Sequence, residues 1–273
     1  MKNILDIEKI RSEFQVLNQN NKQFIYFDNA STTLKPNSVI NKLNEYYLKY
    51  PVNIHRSIYD LGIKATDEFE KVRDLVKNLI TANSKKNIIF TKSATESINL
   101  VAYSWGRKFL CKNDEILLSK MEHHSNIVPW QLCAEATGAK IKYIPITENG
   151  EFDLSNIDKL INRKTKIVSI IHQSNVFGTI NPINQIIKKA KKNNAITLID
   201  AAQSVPHIKI DVNDIECDFL VFSGHKMLGP TGVGVLYGKE KILETMDPFL
   251  SGGQMINQVK SDGSSFAELP YKF

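Results

Sequence analysis

Short apolar runs of strand length recur along this chain at 24–27, 88–90, 115–118, 141–144, 167–171, 196–199, 219–222 and 233–237, and helix-period patterns fill most of the gaps. The clearest stripe places Phe69, Val72, Leu75, Val76 and Leu79 on one face of a helix predicted over 66–79, and segments 95–109 and 183–192 have comparable periodicity. This alternation predicts an α/β fold: a mostly parallel, doubly wound sheet with flanking helices. The run at 233–237 follows Gly229, Pro230, Thr231 and Gly232 too closely for a crossover helix, so it is expected to pair antiparallel or to flank the sheet edge. After Gly252 and Gly253 no further β/α unit is visible. That segment is expected to fray, although Phe266, Leu269 and Tyr271 point to a continuation.

Length and composition narrow the class. With 273 residues and 42% hydrophobic content the chain is long enough for one large core. The apolar runs are strand-sized and the first eleven residues hold no apolar run after their basic residues, so neither a membrane span nor a signal peptide is indicated, and a cytoplasmic location is expected. A formal charge of +6 permits an acidic partner, but the lysines are scattered. Their densest run, Lys188, Lys189, Lys191 and Lys192, reads as the solvated end of a helix, so no nucleic-acid partner is expected. Cys111, Cys133 and Cys217 are too few and too far apart for a disulfide framework or a zinc site, and read as reduced, largely buried thiols.

The candidate chemistry gathers where strands end. Lys226 follows the run at 219–222 within Ser223, Gly224, His225 and Lys226, and Asp200 follows the run at 196–199 with Gln203 three residues on. Ligands of open α/β sheets bind at such strand ends. A lysine amine, a carboxylate and small donors in one pocket suit pyridoxal phosphate: the amine forms a Schiff base with the aldehyde, the carboxylate keeps the pyridine nitrogen protonated, and hydroxyl or imidazole groups hold the phosphate. Taken singly, several of these residues have a second reading. Asp200 also suits a helix N-cap, and Gln203 could reach the phenolic oxygen or close a cap. Thr95 opens a helix whose free amides suit a phosphate or simply an ordinary cap. Asn175 could donate to the phenolate or make a turn. Glu122, His123 and His124 first suggest a metal, but adjacent imidazoles do not converge on one ion and no further ligand completes a set, so no metal is expected. One of the two rings is better used stacked on an aromatic cofactor.

In order along the chain, Asp28 to Ser31, His55 and Arg56, Asn99 to Ala102 with Ser104 to Gly106, Met121 to His124 with Asn126 to Gln131, Ser174 to Val176 with Gly178, Asp200 with Ala202 and Gln203, and Phe222 to Lys226 with Gly229 to Gly232 resemble the class V, fold-type I pyridoxal phosphate enzymes, and most closely the SufS-type cysteine desulfurases. The resemblance implies an N-terminal helical arm over 1–22 and a cofactor-binding large domain over 23–273, without the family's C-terminal small domain. It implies Lys226 as the Schiff-base lysine, Asp200 on the pyridine nitrogen, Gln203 and Asn175 near the phenolic oxygen, His123 stacked on the ring, and Thr95, Ser223 and His225 on the phosphate. Ala94 and Ser97 depart from the family's usual Thr and Gly, so one phosphate-side hydroxyl is missing and weaker cofactor binding is expected.

The implied reaction converts L-cysteine to L-alanine and passes sulfur to an enzyme thiol for iron-sulfur cluster assembly, in a homodimer that serves a sulfur-acceptor protein. The family's persulfide cysteine and its carboxylate-binding arginine lie beyond the position matched by Phe273, so the chain is expected to be inactive alone. The alternatives are a non-catalytic cofactor-binding remnant or dimerisation partner, and a selenocysteine lyase or other class V lyase.

Overall fold

The structure, a computed structural model, describes residues 5–18 and 24–273. Residues 1–4 and 19–22 of the expected N-terminal arm lie outside that range. The described helices are α1 Ile7–Ser12, α2 Asn37–Lys49, α3 Asp60–Leu79, α4 Ala94–Val101, α5 Arg107–Phe109, α6 Val128–Thr137, α7 Ile157–Leu160, α8 Ile183–Lys192, α9 Val212–Ile215 and α10 Glu240–Thr245. A π-helical segment, Ala102–Gly106, joins α4 to α5, so the predicted helix over 95–109 is continuous but widened in its middle.

The main sheet contains β1 Ile88–Thr91, β2 Glu115–Ser119, β3 Lys140–Ile144, β4 Thr165–Ile171, β5 Ile196–Asp200, β6 Phe219–Ser223 and β7 Gly234–Gly238, in the order β1-β7-β6-β5-β4-β2-β3. From β3 through β2, β4 and β5 to β6 every pairing is parallel, and β7 is antiparallel to both β6 and β1. The last predicted run therefore does pair antiparallel, but within the sheet rather than at its edge. Both faces are covered. Alternate residues of β6 feed opposite cores: Leu220 and Phe222 join the layer containing Ile183, Ile186 and Ile187 of α8, while Phe219 and Val221 join the layer with Ile98 of α4 and Trp130 of α6.

Three sequence expectations change. Segment 24–27 is not a strand: it runs as irregular chain outside the sheet, with Phe27 94% exposed. Helix α3 starts six residues earlier than predicted and buries Gly62, Ala65 and Arg73, whereas Val72, Leu75 and Leu79 stay 46–58% exposed. Val76 packs against the core and Phe69 meets Phe90, but the Val72, Leu75 and Leu79 part of the stripe faces away from this chain's core. The segment after Gly253 packs rather than frays. It forms a hairpin of β8 Ile256–Lys260 and β9 Gly263–Phe266, then buries Leu269 and lays Tyr271 against the Arg73 guanidinium, which also donates to the Ile88 carbonyl. No described helix is long and apolar enough to cross a membrane.

Two local arrangements set the strand ends that matter. Gly234 of β7 pairs with Thr91 of β1 on one side and Ser223 of β6 on the other, and a Cβ at this position would stand 2.4 Å from the Ser93 carbonyl carbon. Only glycine lets β7 run this close beneath the start of α4. Across the sheet, Glu122 is buried and accepts from Ser119 at the end of β2, from Asn126 Nδ2 at 2.7 Å and from the Ile171 amide at the end of β4 at 3.0 Å. Asn126 Oδ1 in turn accepts from Trp130 and Ser169. This network ties the turn bearing His123 to the neighbouring strand. Burial pushes the Glu122 carboxyl up to about 8, against the pull of its three donors and with a further push from Asp200.

Gly234→Ala should lower stability by about 1–3 kcal/mol through overpacking against Ser93, read as a shifted urea midpoint; an unchanged midpoint would contradict the close approach. Because the folded Glu122 holds its proton above the reference value of 4.5, its contribution is fully present below that value and is lost as pH rises through about 8. The decline in unfolding free energy between about pH 5 and about pH 9 should therefore be smaller in Glu122→Gln than in the parent, by on the order of 1 kcal/mol or more.

Candidate active site

The ends of the parallel strands open into a cleft of about 440 Å³, and Lys226, Asp200, Gln203, His123, Asn175, Thr95, Ser223 and His225 all line it. All eight residues assigned to the cofactor from the sequence are thus brought to one place, whereas His55 and Arg56 line a different cleft. The cleft also takes Asp28, Ala30 and Ser31 from the segment before α2, and Ser125 beside His123. Asp28 to Ser31 carry no strand or helix pattern of their own, and their position depends on contacts with residues far along the chain.

Lys226 ends a 3-10 turn, Gly224–Lys226, directly after β6. It is partly buried, which lowers the pKa of its amine, and the Asp200 carboxylate partly offsets that shift. Asp200 closes β5 and is almost wholly buried, 2% exposed. Burial raises its carboxyl, while the Ala202 amide, bonded to Oδ1 at 2.9 Å, and the Lys226 charge pull it back. Oδ2 receives no hydrogen bond from any described residue. Such a carboxylate is best matched by a cationic N–H in the cleft.

His123 caps the turn that follows β2. Its Nδ1 accepts from the Ser125 amide at 3.2 Å, and since an amide only donates, the ring proton of the neutral imidazole resides on Nε2. Burial first, then the neighbouring His124 and Lys226, lowers its pKa and favours this neutral form. The His124 ring overlaps it, with centroids 3.9 Å apart.

At the other end of the cleft Ser93 caps α4, and Ser223 Oγ accepts from the Ala94 amide at 2.8 Å. That bond leaves the Ser223 hydroxyl proton free to donate. The Thr95 amide and hydroxyl have no described partner, so the helix start presents unpaired donors beside Ser223 and His225, which suits an anion. Gln203 uses Nε2 to hold the Ala30 carbonyl at 2.6 Å and keeps a second N–H; it ties the loop rather than capping a helix. Asn175 sits on the turn after β4, its side chain without a described partner.

None of the cysteines lines the cleft. Cys133 and Cys217 are buried, which raises their thiols to about 11 and about 12, and Cys111 is exposed elsewhere. Among the described residues no three His, Cys, Asp or Glu side chains converge as metal ligands.

This geometry has close counterparts. A family model described as aminotransferase class-V matches residues 25–273. A probable cysteine desulfurase of Halalkalibacterium halodurans is 49% identical over 271 residues, covering 98% of this chain and 67% of the relative, and one of Synechocystis is 48% identical over 266 residues, covering 97% and 63%. Among solved structures, the apo cysteine desulfurase of Thermococcus onnurineus superimposes with a TM-score of 0.93 at 40% identity, covering all of this chain and 67% of that one. The cysteine desulfurase CsdA of Escherichia coli gives 0.90 at 36% identity, covering 99% and 67%. The chain spans about two thirds of the length of these proteins. With one family model accounting for everything from residue 25 onward, and with near half identity to curated relatives over almost its whole length, the chain belongs to the aminotransferase class-V family.

Proposed function

We propose that the cleft binds pyridoxal 5'-phosphate and that the chain carries the cofactor-binding part of a cysteine desulfurase. The observation that carries this reading is the convergence of a partly buried amine, Lys226, a buried carboxylate with one unpaired oxygen, Asp200, and a helix start with free donors, at Thr95, in one cleft. That donor set fits the cofactor's aldehyde, ring nitrogen and phosphate in turn. When bound, the cofactor supplies an aldehyde for amine capture and a protonated ring that withdraws electrons from the substrate α-carbon.

The residues divide the remaining work. With the cofactor bound, Asp200 would hold the proton on the ring nitrogen. Lys226 would supply the amine, and its burial-favoured neutral form would take the proton from the substrate α-carbon. His123 would pack against the ring and offer its Nε2 proton. Thr95, Ser223 and His225 would hold the phosphate, with Ala94 contributing no hydroxyl. Asn175 and the second Gln203 N–H would donate to the phenolic oxygen.

The substrate in this reading is L-cysteine. Its C–S bond breaks, the sulfur joins a thiol as a persulfide, the carbon takes a proton, and L-alanine leaves. The positions of Cys111, Cys133 and Cys217 favour a receiving thiol outside these 273 residues, so the chain alone serves binding rather than turnover. A second copy of the chain is the proposed partner for the exposed apolar positions of α3 together with Phe27 and Ile58, and a sulfur-acceptor protein takes the product sulfur in the cytoplasm.

Addition of pyridoxal phosphate to the chain should produce the long-wavelength absorbance of a lysine-bound cofactor, and Lys226→Ala should abolish it; absence of the band in the parent would sink cofactor binding. With L-cysteine, the loaded chain should release no alanine above background. Sustained alanine release would overturn the placement of the receiving thiol outside the chain.

A further inference from the structure

The turn that carries Lys226 is gripped from outside by a segment lying about 190 positions earlier in the chain. Thr33 is 9% exposed. Its backbone amide donates to the His225 carbonyl at 2.9 Å and its hydroxyl donates to the same oxygen at 3.0 Å. The same hydroxyl accepts from the Leu228 amide at 2.8 Å. One hydroxyl proton and one lone pair serve both bonds at once, which fixes the orientation of the Thr33 side chain. The His225 carbonyl is also within reach of Thr32 Oγ1 at 3.2 Å and Lys35 Nζ at 3.0 Å, and Lys35 donates to the Thr33 carbonyl as well.

These contacts exceed what satisfying the turn requires. Met227 and Gly229 already close it internally through the Gly224 carbonyl. A carbonyl has two lone pairs, yet four donors crowd the one immediately before Lys226. On the far side, Leu228 holds a left-handed φ of +69°, a conformation unfavourable for a non-glycine residue that persists only where the surroundings impose it. The Thr33 hydroxyl is the group bonded to that residue's amide. The two anchor points, the carbonyl of residue 225 and the amide of residue 228, flank Lys226 on either side.

We propose that Thr33, assisted by Lys35, is a positioning residue for Lys226: it brackets the lysine's backbone and so aims the amine into the cleft rather than toward solvent. This deepens the proposed function and rests on Lys226 being its reactive amine. The groups facing that amine are Asp200 from the end of β5, His123 from the turn after β2, and the adjoining His225, with Lys35 behind His225. A released amine leaves these neighbours and gains water, so its proton affinity returns toward that of an ordinary lysine.

The test uses the full chain without cofactor, acetylated with acetic anhydride across a pH series, with Lys226 and the exposed Lys192 quantified by peptide mass spectrometry. In the parent the Lys226 midpoint should lie below that of Lys192. Thr33→Val should move the Lys226 midpoint upward by about half a unit or more and leave Lys192 unchanged, and Thr33→Ser should restore the parent profile. Urea midpoints check that each variant is folded; if Thr33→Val is not, Lys35→Met should move the Lys226 midpoint the same way. A variant profile superimposable on the parent, failure of serine to restore it, or a parent Lys226 profile coincident with Lys192 would each overturn the bracket. Because no pyridoxal phosphate is present, the result is independent of whether the chain binds that cofactor, which the absorbance measurement decides separately.

Discussion

Everything in the cleft depends on keeping an amine and a carboxylate of opposite charge at the ends of two neighbouring strands with little water between the sheet and what lies above it. Burial acts on both groups toward neutrality, lowering the Lys226 amine and raising the Asp200 carboxyl, and each group's charge partly reverses the other's shift. Neither group is held by a conventional salt bridge among the described residues, and one Asp200 oxygen is bonded to the Ala202 amide while the other is not bonded. A pair so poised is expensive unless a third group completes it. The rest of the fold is the means by which that pair is kept in register: Asp200 is paired with Val221, so the carboxylate and Ser223 stand two rows apart on adjacent strands.

Glu122 shows how the same problem is solved where no charge is wanted. It lies beneath the His123 turn, buried and near enough to Asp200 for the two to repel. A second buried anion there would compete with Asp200 for any cation in the cleft. Burial favours the protonated form of Glu122, which links β2, the His123 turn and β4 by hydrogen bonds, and Asp200 is the carboxyl that lines the cleft.

The parts of this arrangement legible in the sequence are those whose cause is local. Seven of the eight apolar runs form strands because a continuous buried run needs no information from elsewhere, and the site residues stand out because the ends of such runs are where parallel sheets expose side chains to ligands. The departures have non-local causes. Segment 24–27 has strand composition but joins neither edge of the sheet, and composition alone does not supply a pairing partner. The stripe of Val72, Leu75 and Leu79 has the period of a core-facing helix, yet α3 buries the face bearing Ala65 and Arg73. Apolar residues recurring at helical spacing establish that a helix has an apolar side without establishing what covers it. The hairpin of β8 and β9 is almost wholly exposed and polar, so no alternation announces it.

Least legible of all are the hydrogen bonds that join segments with no sequence relation. A pair of threonines before a lysine and a proline carries no signal that it will grip the turn at His225 and Leu228, and nothing in the spacing of Gln203 from Asp200 announces that one of its N–H groups holds the Ala30 carbonyl. Both sets of bonds hold residues 30–35 beside the cleft, where Ala30 and Ser31 line it. Thr33 holds the turn after β6, so the setting of Lys226 depends on the early segment as well as on the strand that carries it. The cleft is therefore completed by contacts that the sheet alone does not supply, joining segments about 190 positions apart in the chain.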